Sequence, residues 1–222
     1  MKIYIVGIGG IGSALISPLG KYLKYNKKKI PVVLIDGDSV EESNLERQNF
    51  ISTDVKRNKA QVMAEYLKSF GVEAEGVPIY LTQESDLHFE NGSVIFVCTD
   101  NYVTRFLIEQ WCVKNLNKVV IIFGGNEYHD GDVNIVIKDS KLKTPLYSET
   151  HPEIKEKDKF PNERSCAEAS VHDPQLIFAN MTVAMMMLGS FYSYLAKSKL
   201  PITHKIAFDL QTNKYEIYDG TK

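Results

Sequence analysis

The chain has 222 residues, of which 44% are hydrophobic and 24% charged. That length and composition bury a full core without disulfide or metal staples, and they exclude disordered and fibrous chains. Lys and Arg number 26 and Asp and Glu 28, a formal net charge of −2, so nothing attracts the chain globally to nucleic acid or to an anionic membrane, and neither is expected as a partner. The cysteines Cys98, Cys112 and Cys166 form no CxxC pair, and their odd number argues against a closed disulfide framework. No secretory signal precedes the first apolar run, so the expected compartment is the cytoplasm. Residues 174–196 carry no charge over a length that can cross a bilayer. Their Gln175, Asn180, Thr182, Ser190 and Ser193 favour a buried core helix that also packs against a partner, with a membrane span as the lesser alternative.

In chain order, Ile3–Val6 is a short apolar run ending in glycines, the pattern of a buried parallel strand. Residues 10–24 place Ile11, Leu15, Ile16, Leu19 and Leu23 on one helical face, with Pro18 expected to strain the helix. The lysine-rich stretch 25–29 reads as a solvated connector, and residues 31–36 (PVVLID) as a second buried strand. Residues 58–70 pattern as a helix, 73–81 as a strand, 93–98 (SVIFVC) as a buried strand, 101–116 as a helix and 119–123 (VVIIF) as a further strand. Such alternation implies a mostly parallel, Rossmann-like sheet with helices on both faces. After Gly124 and Gly125 the pattern changes. Residues 132–138 look like an antiparallel strand, 139–165 like a polar mobile loop, 173–196 like a long helix, and the end like a hairpin turning at Thr212 and Asn213. No repeat or interdomain linker is evident. The expectation is one domain over 1–222, with a nucleotide-binding half at 1–125 and a crossover loop and closing helix and hairpin at 126–222.

Residues 7–12 (GIGGIG) fit G-x-G-x-x-G between a strand and a helix. Glycines let backbone N–H groups approach a phosphate, and the helix N-terminus adds partial positive charge. Asp36 ends the second strand, where a carboxylate accepts hydrogen bonds from a ribose. To this point a nicotinamide dehydrogenase leads, with a ligand-free glycine turn as the alternative. The next segment, DGDSVEESNLERQ at 36–48, shifts the reading. Asn44, Arg47 and Gln48 just past the ribose acid suit a nucleoside triphosphate, because Arg presents a fork of donors to phosphate. Lys59 adds a second cation, and Asp100, following the strand that ends at Cys98, suits Mg²⁺.

These segments resemble the ThiF/MoeB/HesA family of adenylating enzymes related to ubiquitin-activating enzyme. The resemblance rests on GIGGIG at 7–12, DGDSVEESNLERQ at 36–48, Lys59, CTDNYVTR at 98–105 and SCAEAS at 165–170, and it covers nearly the whole chain. The lysine connector and RQNF at 47–50 look most like variants carried in plasmid or phage gene clusters.

The resemblance implies ATP-dependent adenylation of the C-terminal glycine of a small ubiquitin-fold or sulfur-carrier protein, with release of pyrophosphate. It implies nucleotide contacts from Gly7, Gly9, Gly10, Gly12, Asp36, Asp38, Ser43, Asn44, Gln48 and Asn101. Arg47, Lys59 and Asp100 would be the catalytic groups, with Asp100 as the Mg²⁺ ligand. Cys166 matches the position of a reactive cysteine in several relatives, with a packing cysteine as its alternative. Cys98 and Cys112 read as packing residues. Plain alternatives exist elsewhere too: Lys59 as a solvated helix lysine, Asn44 as a turn residue, Asp100 as a helix cap. Relatives pair as two-fold homodimers, and the uncharged helix, through Met185, Met186, Leu188 and Phe191, is the expected interface.

Two departures stand out. The two zinc-binding CxxC pairs of many relatives are missing, so no structural zinc is expected. The N-terminal arm whose arginine completes a neighbouring site in relatives is also missing, which leaves Arg57, Arg105, Arg164 or a partner to compensate. The competing readings are a non-catalytic half of a heterodimer, an enzyme acting on a small molecule or tRNA, and a dehydrogenase.

Overall fold

The structure is a computed structural model and describes residues 1–155, 160, 176–196 and 203–219. Five strands come first: β1 (Ile3–Val6), β2 (Val32–Ile35), β3 (Ala74–Val77), β4 (Ser93–Val97) and β5 (Lys118–Asn126). Four more follow: β6 (Asp130–Asp139), β7 (Lys141–Leu142), β8 (Thr203–Asp209) and β9 (Lys214–Asp219). They form one sheet in the order β3-β2-β1-β4-β5-β6-β8-β9, with β7 paired to β6. The pairs from β3 to β5 are parallel, with Ile3 opposite both Val32 and Val94. From β5 onward they are antiparallel, starting with Lys118 opposite Asp139.

Both faces of the parallel strands are covered. Ile3 and Ile5, with Phe96 of β4, join the core under α1 (Gly10–Tyr25), α2 (Lys59–Ser69) and α5 (Ile177–Leu195). Tyr4, Val6 and Ile95 face the opposite core with Ile108 and Cys112 of α3 (Tyr102–Asn115) and Tyr147 of α4 (Tyr147–Thr150). Near-continuous apolar strands are what burial on two faces requires.

The helices and the hairpin fall where the pattern placed them. The expected strand at 73–81 shortens to Ala74–Val77, because Pro78 ends the ladder and the chain turns to bring Tyr80 and Leu81 to the cleft described below. α1 continues through Pro18 rather than ending there. The expected mobile loop at 139–165 is overturned over 139–155, while 156–159 and 161–165 lie outside the described residues. Its described part folds into β7, α4 and a 3-10 turn at Pro152–Lys155, anchored by buried Thr144, Tyr147, Ser148 and Ile154. Of the expected long helix, 173–175 lie outside the described residues. Among the described residues no helix is long and apolar enough to cross a membrane.

Candidate active site

A cleft of about 1420 Å³ opens at the C-terminal ends of β1, β2 and β4. β1 has β2 on one side and β4 on the other, so the strand order reverses between β1 and β4. That switch point is where open α/β sheets bind ligands. The glycine loop forms one wall. Gly7 sits at φ +86°, and a Cβ there would lie 2.8 Å from the Thr99 amide nitrogen. A Cβ on Gly12 would lie 2.0 Å from the Gly7 carbonyl oxygen, so Gly12 lets the first turn of α1 close against the loop rather than facing the cleft. Gly10 lines the cleft, and its missing side chain makes room for Asn180 of α5. Gly9 has nothing within 4 Å of its Cβ position and presents bare backbone.

Asp36 ties this loop to the strand beside it. Its carboxylate accepts the Ile8 amide at 2.5 Å and the Asp38 amide at 2.8 Å. Burial and the neighbouring Asp38 charge push the Asp36 carboxyl up to about 6, against the pull of Lys59 and the two amides. Asn58 caps α2 through Gln61 N and donates to the carbonyls of both Asp36 and Asp38, each at 2.9 Å. The cap therefore fixes Lys59, the first residue of α2, against the same turn. Lys59 is buried and donates to Asp38 Oδ2 at 3.1 Å. Tyr80 donates to the other oxygen, Asp38 Oδ1, at 2.5 Å.

Ser43, Asn44, Arg47 and Gln48 line the cleft beside this network. Asn44 is buried and accepts the Glu41 amide at 3.1 Å, so it shapes its turn as well as facing the cleft. Asn49 anchors the segment to α1, donating its backbone and side-chain N–H groups to Ser13 Oγ and O at 3.1 and 3.3 Å. Arg47 makes no ion pair among the described residues. Asp100 is exposed in the cleft, and the cap of α3 is Asn101, whose side chain accepts the Thr104 amide at 2.8 Å. On the cleft lining, Gln48 Oε1, Thr99 Oγ1 and Asn101 Nδ2 are buried atoms with no hydrogen-bond partner among the described residues. Buried polar groups are almost always satisfied, so these three suit a polar ligand.

The far end of the cleft carries a cluster of which the sequence singled out only Arg105. Arg105 is buried and donates to Thr99 O at 2.8 Å, Gly124 O at 2.7 Å and Tyr147 OH at 2.8 Å. Tyr147 stacks between Phe123 and His151, each ring 4.4 Å away. His151 Nε2 lies 2.8 Å from Asp132 Oδ2, which also accepts Lys205 at 3.1 Å. Burial raises the Asp132 carboxyl, but the His151 hydrogen bond and the charges of His151 and Lys205 outweigh it and hold it below the ordinary range. Of the arginines weighed as substitutes for the missing arm, Arg57 is engaged at the surface by Glu65 and Asp54, and Arg105 is committed to protein acceptors. Arg164 and Cys166 lie outside the described residues. Cys98 and Cys112 are buried in the two cores, and burial pushes the Cys98 thiol up to about 12 and the Cys112 thiol up as well.

A glycine loop at the switch point and an acid ending the second strand define a Rossmann-like α/β chain with a nucleotide-type cleft. Residues 1–219 match the ThiF family, and the chain belongs to that family. It is 38% identical over 116 residues to the adenylyltransferase and sulfurtransferase Uba4 of Aspergillus terreus, a match covering 50% of this chain and 23% of the relative. The Yarrowia lipolytica protein of the same name is 30% identical over 116 residues, covering 50% of this chain and 28% of its own. Among solved structures, Escherichia coli MccB with ATP superposes with a TM-score of 0.76 at 20% identity, covering all of this chain and 64% of MccB. PaaA gives 0.74 at 18% identity, with coverage of 100% and 64%. These superpositions establish the fold.

Proposed function

We propose that the protein adenylates the C-terminal carboxylate of a small ubiquitin-fold or sulfur-carrier protein, using ATP. The observation that carries this reading is the meeting of Asp36, Arg47, Lys59 and Asp100 in one cleft of a ThiF-family chain. Asp36 accepts the ribose hydroxyls. The glycine-loop amides and the N-terminus of α1 receive the phosphates. Arg47 and Lys59 neutralise the charge that develops as the carrier carboxylate attacks the α-phosphorus and pyrophosphate leaves. The attacking group is already a carboxylate, so no general base is needed, and the rate rests on alignment and charge stabilisation. Asp100, exposed in the cleft, is the residue that would hold Mg²⁺, and the ion would supply further charge neutralisation at the phosphates. The distal part of the cleft, beyond Gly125 and Gly131, offers room for an extended carrier tail.

Three extensions belong to the same reading. Residues 1–222 act as a single adenylation domain. A second step passes the acyl group to Cys166: its thiolate attacks the acyl carbonyl, a C–S bond forms and AMP leaves. Support comes from elimination, since the other two thiols are buried and held protonated. Two copies pair through the exposed face of α5, where Phe178 is 63%, Met181 49% and Met185 45% exposed. Phe191, expected in that interface, instead fills the core against Tyr22 and Phe96.

The deciding experiment compares ATP and NAD binding and then measures exchange of labelled pyrophosphate into ATP with candidate carriers ending in glycine. Binding of ATP with carrier-dependent exchange supports the proposal. Preference for NAD, or ATP binding with no exchange for any carrier or peptide acid, overturns it.

A further inference from the structure

Tyr80 is outside every motif considered above, yet it touches the centre of the cleft. Its ring lies flat on the turn after β2: a Cβ on Gly37 would come within 2.6 Å of the ring carbons. Its hydroxyl donates to Asp38 Oδ1, while Lys59 Nζ donates to Asp38 Oδ2. One carboxylate is thus shared between a neutral donor from the β3–β4 connection and a cation at the start of α2. Lys59 is 8% exposed and Asp38 47%, so the ammonium has little water of its own and depends on Asp38 when no anion is near. A ligand phosphate must take Lys59 from Asp38.

We propose that Tyr80 is a positioning residue that sets how readily Lys59 leaves Asp38 for the phosphates of the nucleotide. The phenol hydrogen bond draws charge from one Asp38 oxygen and so weakens the hold of the other on Lys59. It also keeps Asp38 satisfied after Lys59 has moved. The phenol stays protonated throughout, because burial and the Asp38 carboxylate push its ionisation well above the ordinary range. Gly37 is the enabling residue, since any side chain there would lift the ring off the turn. The inference rests on the triphosphate reading of the cleft but concerns a contact present without nucleotide.

Two measurements test it. In calorimetric titrations, Tyr80→Phe is expected to weaken ATP binding roughly tenfold, the scale of one hydrogen bond to a charged group. The same substitution made on Asp38→Asn is expected to change binding by less than about twofold, because the carboxylate it acts through is gone. Equal losses in both backgrounds overturn the relay and leave Tyr80 as a wall of the cleft. In nucleotide-free protein, acylation of Lys59 by a small acid anhydride, which releases a carboxylate, read by mass spectrometry, is expected to be slowest in Tyr80→Phe, faster in wild type and fastest in Asp38→Asn. Any other order overturns the relay. Wild type that binds no ATP overturns the functional reading instead, and the labelling order still decides whether Tyr80 and Lys59 communicate through Asp38.

Discussion

Asp36 reaches back 28 positions to hold the amide of Ile8 at 2.5 Å, so the acid that ends β2 also fixes the shape of the glycine loop. Its other oxygen holds the Asp38 amide. Protonation of Asp36 puts an O–H on one of these oxygens and weakens both as acceptors, for the amides and for a ribose alike. With its carboxyl at about 6, nucleotide affinity is expected to fall by up to tenfold per pH unit below that value. For folding the sign is the reverse. The carboxyl is raised above its ordinary value near 3.8, so the folded state binds this proton more tightly than the unfolded one. The Asp36 contribution therefore turns favourable as pH drops from about 6 toward 4. Titration of wild type against Asp36→Asn checks both: the variant binds more weakly and loses the inflection near 6.

Removing one charge-stabilising group is expected to slow the chemical step by roughly 10²–10³-fold. Arg47→Ala, Lys59→Ala and Asp100→Ala should each lower carrier-dependent pyrophosphate exchange by that order while the fold persists by circular dichroism. Undiminished exchange in Asp100→Ala removes that residue from the active set.

The glycines of the loop are expected to differ in tolerance. Gly12→Ala drives a methyl to 2.0 Å from a backbone oxygen that cannot swing away. Overpacking of this kind costs about 1–3 kcal/mol or more, which lowers the melting temperature by roughly 2–4 °C per kcal/mol in a chain of this size. Gly9→Ala meets open space and should melt within a degree or two of wild type, by differential scanning fluorimetry.

On α5 two variants separate interface from core. Met181→Glu with Met185→Glu should leave melting nearly unchanged and shift a dimer to the 25.1 kDa monomer by light scattering. Phe191→Ala removes a fully buried ring and should destabilise the protein by about 3–5 kcal/mol. A wild type already monomeric at micromolar concentration ends the dimer proposal.

For the second step, Cys166→Ser should keep pyrophosphate exchange and lose any thiol-sensitive adduct with the carrier. An adduct that survives the substitution points to another nucleophile. If the wild type forms none with its true carrier, the enzyme stops at the adenylate.

The parallel half of the fold was legible because runs such as IYIV and SVIFV are short, rich in β-branched residues and bounded by turn residues, and because GIGGIG and DGDSVEESNLERQ sit at strand ends. The antiparallel half was legible in outline only. Polar residues at 139–155 looked like solvated loop, yet Tyr147 and Ile154 are buried, a fact that depends on Phe123 and α3 lying nearby in space. Asn58 carried a readable signal, an Asn immediately before a helix. Tyr80 carried none, since its place depends on the missing side chain of Gly37; Arg105 was legible as a candidate cation, but not its use in holding the carbonyls of Thr99, just past β4, and of Gly124 in β5.

The central place of β1 has a consequence for how the chain assembles. Its partners are β2, about thirty residues on, and β4, about ninety residues on. During synthesis the first strand can pair on one side early, while its other edge must wait until much more of the chain has emerged. β5 meets the reverse hazard. Its run Val119–Val120–Ile121–Ile122–Phe123 is buried only when β6 arrives, and until then it offers an uncharged β-rich edge of the kind that recruits other chains. Truncation between β5 and β6 should therefore yield aggregates rather than a smaller soluble domain.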